Sequence, residues 1–302
     1  MKSILSIVFL VFSLNFCFSQ SNLLNAKTPD QIDNLRPEEK EADFNLEYED
    51  VNPEDILWSK VVYEYIDLNE KLNFPLLYPT NDDDYRESRK SLWKTIFDGI
   101  KSGKIKELYQ DNNDKFLPEL KIVDIDSTAF NDVLDLFYTQ DYRENVNCIA
   151  CNLTSEDIIG YNIKGVWYFN KKQSELKYRL LGIQPRGIDI KDKVRAAIES
   201  IEPTKRLYPW IWYPSIREVL NESKVFNDRN NNNKISFDDL LVNRRFNSYI
   251  YKYDNVYGDR KIRDYILPRE KESPRQYQLR LIMESERIKK EILDFEVDMW
   301  GY

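Results

Sequence analysis

The chain has 302 residues, 44 Lys and Arg against 52 Asp and Glu, and no histidine. Without imidazole there is no Ser-His-Asp or Cys-His nucleophile system and no His-ligated zinc hydrolase site. Eight glycines, where average usage gives about 20, serve phosphate-cradling loops poorly, and a net charge of −8 disfavours nucleic acid. The 42% hydrophobic and 14% aromatic content is enough for a real core.

Residues 1–19 read as a secretory signal. Lys2 gives the positive start, Ile4 to Phe16 is apolar apart from Ser and Asn, and Cys17-Phe18-Ser19 precedes a cut before Gln20. The run is too short to span a bilayer, and bulky Phe16 argues against lipid attachment at Cys17. An acidic segment follows. Residues 28–55 hold eleven acids and two bases, so residues 56–302 carry a net charge of only −1. With Pro29, Pro37 and Pro53 and few large apolar residues, residues 20–55 are expected to form a solvated arm, or one that orders on a basic partner.

The pattern becomes globular from Asp55. Leu92, Trp93, Ile96, Phe97 and Ile100 share one helical face that stops near Gly103. Gly99-Ile-Lys-Ser-Gly103-Lys104-Ile105 is one residue short of a phosphate loop and places Ile105 where a Ser or Thr must meet magnesium. It reads as a glycine-stopped helix end with lysines near its negative pole. Cys148 and Cys151 are the only cysteines after the signal. In an oxidising compartment they are expected to form a local disulfide, and without histidine they make half a zinc site at best.

Gly165–Asn170, the polar turn Lys171–Ser174 and Glu175–Ile183 predict a β-hairpin. In Leu207–Tyr213, the aromatic side chains of Tyr208, Trp210, Trp212 and Tyr213 fit either a buried strand or a partner-binding interface. Pro214 then opens a short helix. Asp228, Asn230, Asn232, Ser236 and Asp239 fall at the oxygen-ligand positions of a calcium loop. The set carries little charge and ends in Asp rather than a bidentate Glu, so no metal site is assigned; Ser236 and Asp239 also fit a helix cap. Ser273-Pro274 and Gln276 start a terminal helix whose apolar stripe holds Tyr277, Leu281, Ile288, Ile292, Phe295 and Met299. Glu286 and Lys290 offer an i,i+4 ion pair. The expected class is α+β, with helices packed around a small antiparallel sheet and a long C-terminal helix. No spacing picks out a catalytic constellation, and no cofactor is implied.

Several separated blocks resemble the GldN/PorN family of Bacteroidetes gliding-motility and type IX secretion proteins. They begin with Trp58–Asn73 and Pro75–Pro79, and continue in order through Ser91-Leu92, Ile163–Ser174, Arg179–Ile183 and Trp210–Leu220. Val225–Asn227, Ser236–Asp239, Phe246–Ile250, Asn255–Tyr257 and Glu284–Trp300 complete the set. The likeness covers residues 56–302 and departs at Lys164-Gly165, where an acidic pair is usual. It implies a periplasmic structural subunit without catalytic residues, peripherally associated with the outer membrane. Such a subunit self-associates in a ring with a GldK/PorK-like lipoprotein and meets a GldM/PorM-like shaft protein. The resemblance implies neither nucleic-acid binding nor a membrane span. The alternative from the residues alone is a periplasmic calcium-binding or carboxylate-based hydrolytic protein.

Overall fold

The computed structural model describes residues 48–80, 90–124, 137, 152–199, 202–225, 235–256 and 258–300. The signal segment, most of the acidic segment, Cys148, Cys151 and Asp228–Asn233 lie outside these residues. The strands are β1 (Ile56–Asp67), β2 (Glu107–Tyr109), β3 (Lys121–Asp124), β4 (Ile158–Asn170), β5 (Glu175–Ile188), β6 (Lys205–Leu207), β7 (Trp210–Trp212), β8 (Lys224–Val225), β9 (Ile235–Ser236) and β10 (Tyr249–Tyr253). The helices are α1 (Phe74–Leu77), α2 (Leu92–Lys101), α3 (Ile190–Glu199), α4 (Tyr213–Glu222), α5 (Phe237–Val242), α6 (Ile262–Tyr265) and α7 (Pro274–Trp300).

The class is α+β. Strands run in the order β10-β1-β4-β5-β7-β2-β3, all antiparallel, with β6 also on β5; β8 and β9 form a separate ribbon. The expected hairpin is the β4–β5 pair at the centre. It is longer than its sequence signal because both strands extend past the aromatic stretch. The sheet also exceeds the small one expected, since β2 and β7 have three residues each and show no readable alternation.

One slip in register organises the two faces. Lys164 pairs with Gly182 and Gly165 with Leu180, so Leu181 is an extra residue on β5. A bulge of this kind re-aims the side chains on either side of it. Leu180 and Ile183, three residues apart, consequently share the core under the helices, while Leu181 joins the core on the opposite face. The first core packs Ile66, Tyr161, Ile163 and Ile183 against the apolar sides of α2, α4 and α5. The second holds Tyr63, Val166, Tyr168, Trp210 and Trp212 around Phe116. A third lies under α7, where Val62 and Ile250 meet Ile288 and Ile292.

α2 follows its sequence signals. The Ser91 hydroxyl accepts from the Lys94 amide at 3.0 Å, and Gly103, at φ +73°, donates its amide to the Ile100 carbonyl. That left-handed position suits glycine. Gly99–Ile105 is thus a helix end, with Lys104 paired to Glu222 on α4.

Between the first and third cores sits a buried ion pair. Arg244 donates to both carboxylate oxygens of Glu64, at 3.0 and 2.7 Å, and the Ser248 hydroxyl donates to the same carboxylate. Glu64 is 1% exposed. The guanidinium lies 4.1 Å from the centre of the Tyr178 ring and 5.1 Å from that of Trp167. Tyr178 in turn covers Gly165 so closely that a Cβ there would come within 2.2 Å of the ring. Arg244 adopts φ +51° to make these contacts, a conformation that a non-glycine residue holds only when its surroundings enforce it.

The end of the acidic segment is part of the fold. Beyond β4, residues 175–181 of β5 have no strand neighbour among the described residues. Residues 48–51 lie against them instead. The Tyr48 hydroxyl donates to the Leu180 carbonyl at 3.0 Å, Arg179 donates to the Glu49 carbonyl, and Lys177 pairs with the Glu49 carboxylate at 2.7 Å. Val51 is buried in the second core. The acidic arm expected to reach residue 55 is therefore tied down by residue 48, because covering an open strand edge satisfies groups that would otherwise invite another chain.

Gly165→Ala should destabilise the chain by about 1–3 kcal/mol, read as a lower urea midpoint, because Tyr178 is held from its other side and cannot yield. Arg244→Met should lower stability by about 3–5 kcal/mol by stranding a buried carboxylate. Adding Glu64→Gln should recover most of that loss, a pattern that simple loss of packing at Arg244 would not give.

Candidate interaction surfaces

The four aromatic residues offered as core or interface belong to the interior. Tyr208, Trp210, Trp212 and Tyr213 are each at most 2% exposed. β7 is hydrogen-bonded on both sides, to β5 and β2, which leaves it no free edge. Trp210 and Trp212 meet Phe116 edge-on at 6.0 and 4.9 Å. The Tyr208 hydroxyl donates to the Ile188 carbonyl at 2.7 Å, and Tyr213 donates to Asp238 at 2.7 Å.

Asp238 also receives both arms of Arg217, at 3.0 and 2.9 Å, and Arg217 lies 4.2 Å from the centre of the Tyr48 ring. This cluster joins α4, α5 and the docked residues near 48. Burial pushes the Tyr48 and Tyr213 hydroxyls well above their ordinary range, so both remain proton donors. The cluster is structural, with no access for a substrate: Tyr213 and Asp238 are 0 and 1% exposed.

Ser236 and Asp239, weighed as calcium ligands or a helix cap, make the cap. The Ser236 hydroxyl accepts from the Asp239 amide at 3.0 Å and donates to the Asp239 carboxylate at 2.7 Å. Among the described residues there is no group of three or more acidic or cysteine side chains arranged to hold a metal ion. No helix of the described residues is long and apolar enough to cross a membrane.

Two surfaces can meet a partner. The first is a ladder of tyrosines where β1 pairs with β10. Tyr65 faces Tyr249 at 5.3 Å and Tyr63 faces Tyr251 at 6.3 Å, with Arg186 5.3 Å from the Tyr65 ring. Tyr63 and Tyr65 are buried, while Tyr249 and Tyr251, on the edge strand β10, are half-buried. The sequence signal for them is a period of two, Tyr63/Tyr65 and Tyr249/Tyr251, which marks one face of a strand; Tyr253 continues the spacing but, past a shift in register, packs with the third core. Tyrosine supplies apolar area and a polar tip together, as interfaces favour.

The second surface is the outer side of α7. The helix starts as expected: the Ser273 amide donates to the Gln276 side chain at 3.0 Å, and the Gln276 amide donates back to the Ser273 hydroxyl at 3.3 Å. Ile288 and Ile292 are buried, and Phe295 stacks on Trp58 at 4.7 Å. Ser285 on the same side accepts from the Ile250 amide at 2.7 Å. The opposite side exposes Leu279, Ile282, Met283, Leu293 and Val297, by 56, 44, 63, 52 and 68%. Glu286 pairs with Lys289 at 2.9 Å rather than with Lys290, because Lys289 is held nearby through the Ser248 carbonyl.

The tyrosine ladder is flanked by an unusual lysine. Lys164 is buried on the face of Tyr63 and Phe116, 5.5 and 5.3 Å from their ring centres, and donates to the Asp114 carbonyl at 2.7 Å. Burial lowers its pKa to about 8, against the pull of Asp114 and with the push of Lys252. The folded chain thus releases this proton near pH 8, the unfolded chain near the ordinary 10.5. Between those values the unfolded state binds more protons, so stability rises with pH. Lys164 accordingly costs stability below pH 8, and the cost fades towards pH 10. Urea unfolding of wild type against Lys164→Met should show the difference moving in favour of wild type from pH 8 to 10, by at most about 1.4 kcal/mol per pH unit.

No curated protein sequence matches the chain. The family model described as gliding motility associated protein GldN matches residues 51–301. That span opens at Val51, the buried residue of the docked N-terminal segment, and runs to the end of α7. It takes in every strand and both candidate surfaces. The chain belongs to the GldN family.

Proposed function

We propose that this chain is a non-enzymatic structural subunit that builds a ring beneath the outer membrane with a GldK/PorK-like lipoprotein. A GldM/PorM-like shaft protein touches that ring from the periplasm. Membership of the GldN family makes the chain a component of the gliding and type IX secretion machinery. The observation that carries the finer reading is the match across the whole folded unit, residues 51–301. The physical character of the chain supports it. Its buried ionic groups are spent on joining elements, as in Glu64–Arg244 and Asp238–Arg217. Its outer features are the half-buried tyrosines of the edge strand β10 and an apolar helix face, which suit contact with protein.

Residues 56–302 carry a net charge of only −1, and the docked residues 48–55 add Glu49, Asp50, Glu54 and Asp55, so repulsion between copies is modest for a unit of this size. The acidic stretch before Tyr48 is proposed to dock on a basic surface of a partner. Its root is fixed on β5 by Tyr48 and Glu49, which sets where such a partner would be received. Cys148 and Cys151 are proposed to form a disulfide in the oxidising periplasm.

Affinity purification of the tagged chain from its native envelope, without crosslinker, should recover a large complex containing an outer-membrane lipoprotein. Deleting the gene should stop export of secreted cargo and surface gliding. Recovery of a stable monomer that holds no lipoprotein, or normal export in the deletion strain, would overturn the reading.

A further inference from the structure

The outer face of α7 carries a pair of opposite charges between two pairs of apolar residues. Six of its exposed residues, Leu279, Met283, Glu286, Lys290, Leu293 and Val297, run at alternating steps of four and three, which keeps them on one side of a helix; Ile282 and Asp294 lie at its margins. Read from either end, the order is two apolar residues, two charges of opposite sign, two apolar residues. The midpoint is residue 288, and each residue has a counterpart at the same distance on the other side. From either end the apolar positions coincide, while the acid of one reading falls where the base of the other stands.

We propose that this face is a two-fold contact between two copies of the chain, with their α7 helices antiparallel and the axis passing at the level of residue 288. Leu279 then meets Val297 of the second copy, Met283 meets Leu293, and Glu286 meets Lys290, each contact occurring twice. A parallel pair would instead set Glu286 against Glu286 and Lys290 against Lys290. The order of acid and base along the helix, rather than the spacing, is what suits an antiparallel copy. Charge complementarity therefore selects a second copy as the occupant.

The helix is suited to the task. Ile288 and Ile292 are buried against β1 and β10, and Ser285 is bonded to the Ile250 amide, so the outer face is presented on a fixed support. Leu279 to Val297 spans about 27 Å at 1.5 Å per residue. Lys290 has no ion pair within the described residues, and the second copy supplies one. Exposed charge pairs add little affinity, so the four apolar positions hold the contact and the charges set its direction. A two-fold contact uses the same patch on both copies and closes at two. It is thus separate from any head-to-tail contact in a ring and does not rest on the ring reading.

Sedimentation velocity of the mature chain from about 1 to about 500 µM should show a monomer–dimer equilibrium. Leu293→Glu should weaken dimerisation at least about ten-fold, while circular dichroism melting stays unchanged because the side chain is exposed. Glu286→Lys and Lys290→Glu should each weaken it several-fold. The double exchange Glu286→Lys/Lys290→Glu should return it to near the wild-type value, since it keeps acid opposite base. A chain that stays monomeric throughout overturns the proposal, as does a dimer indifferent to Leu293→Glu. A double exchange weaker than either single one overturns the antiparallel arrangement. Should Leu293→Glu shift the melting curve, the charge exchange alone decides, because those two residues contribute nothing to the core.

Discussion

The Glu64–Arg244 ion pair is the point through which the rest of the fold is fixed. A carboxylate 1% exposed is tolerable only with its charge answered and its oxygens hydrogen-bonded. Arg244 answers the charge from a backbone conformation that is itself unfavourable, and in doing so sets the path of residues 243–248. That path delivers Phe246 to the first core and starts β10 at the correct register against β1. The guanidinium also presses on Tyr178, which occupies the space a side chain at position 165 would need. One polar contact thus couples β1, the β4–β5 hairpin and β10, and through β10 the support of α7.

Much of this was legible in the sequence wherever an element was long and its partner local. The face of α2, the β4–β5 hairpin, the capped start of α7 and its buried stripe at Leu281, Ile288, Ile292 and Phe295 all follow from period and capping residues. Short strands such as Glu107–Tyr109 and Lys205–Leu207 did not show, because three residues are too few for an alternation to be read. Tyr208–Tyr213 could be read as core or interface, and only the pairing of β7 on both edges makes it core. The tyrosine ladder was hidden for a different reason. Its halves are 180 or so residues apart, and neither half exposes a patch until β1 and β10 are side by side.

Charge was the least local property of all. The acidic stretch read as one arm, yet its last residues are ordered by contacts that sequence composition does not encode. Tyr48 finds a carbonyl on β5 and a guanidinium on α4, and Glu49 finds two cations on β5. A segment with few large apolar residues can dock when the acceptor is a strand edge bearing Lys177 and Arg179. The buried ion pairs Glu64–Arg244 and Asp238–Arg217, by contrast, each join separate elements.

The same long-range closures govern when the chain can fold at all. β1 is among the first elements to emerge during synthesis or export. Its neighbours β4 and β10 come about 100 and 190 residues later, and Lys60 waits for Glu291, 231 positions on. Residues 48–51 likewise need β5, some 130 positions away. Contacts of such separation form late, since loop closure precedes any gain from them. A chain built this way has little to lock it into shape while its second half is missing, and its fold closes only once the last helix is in place.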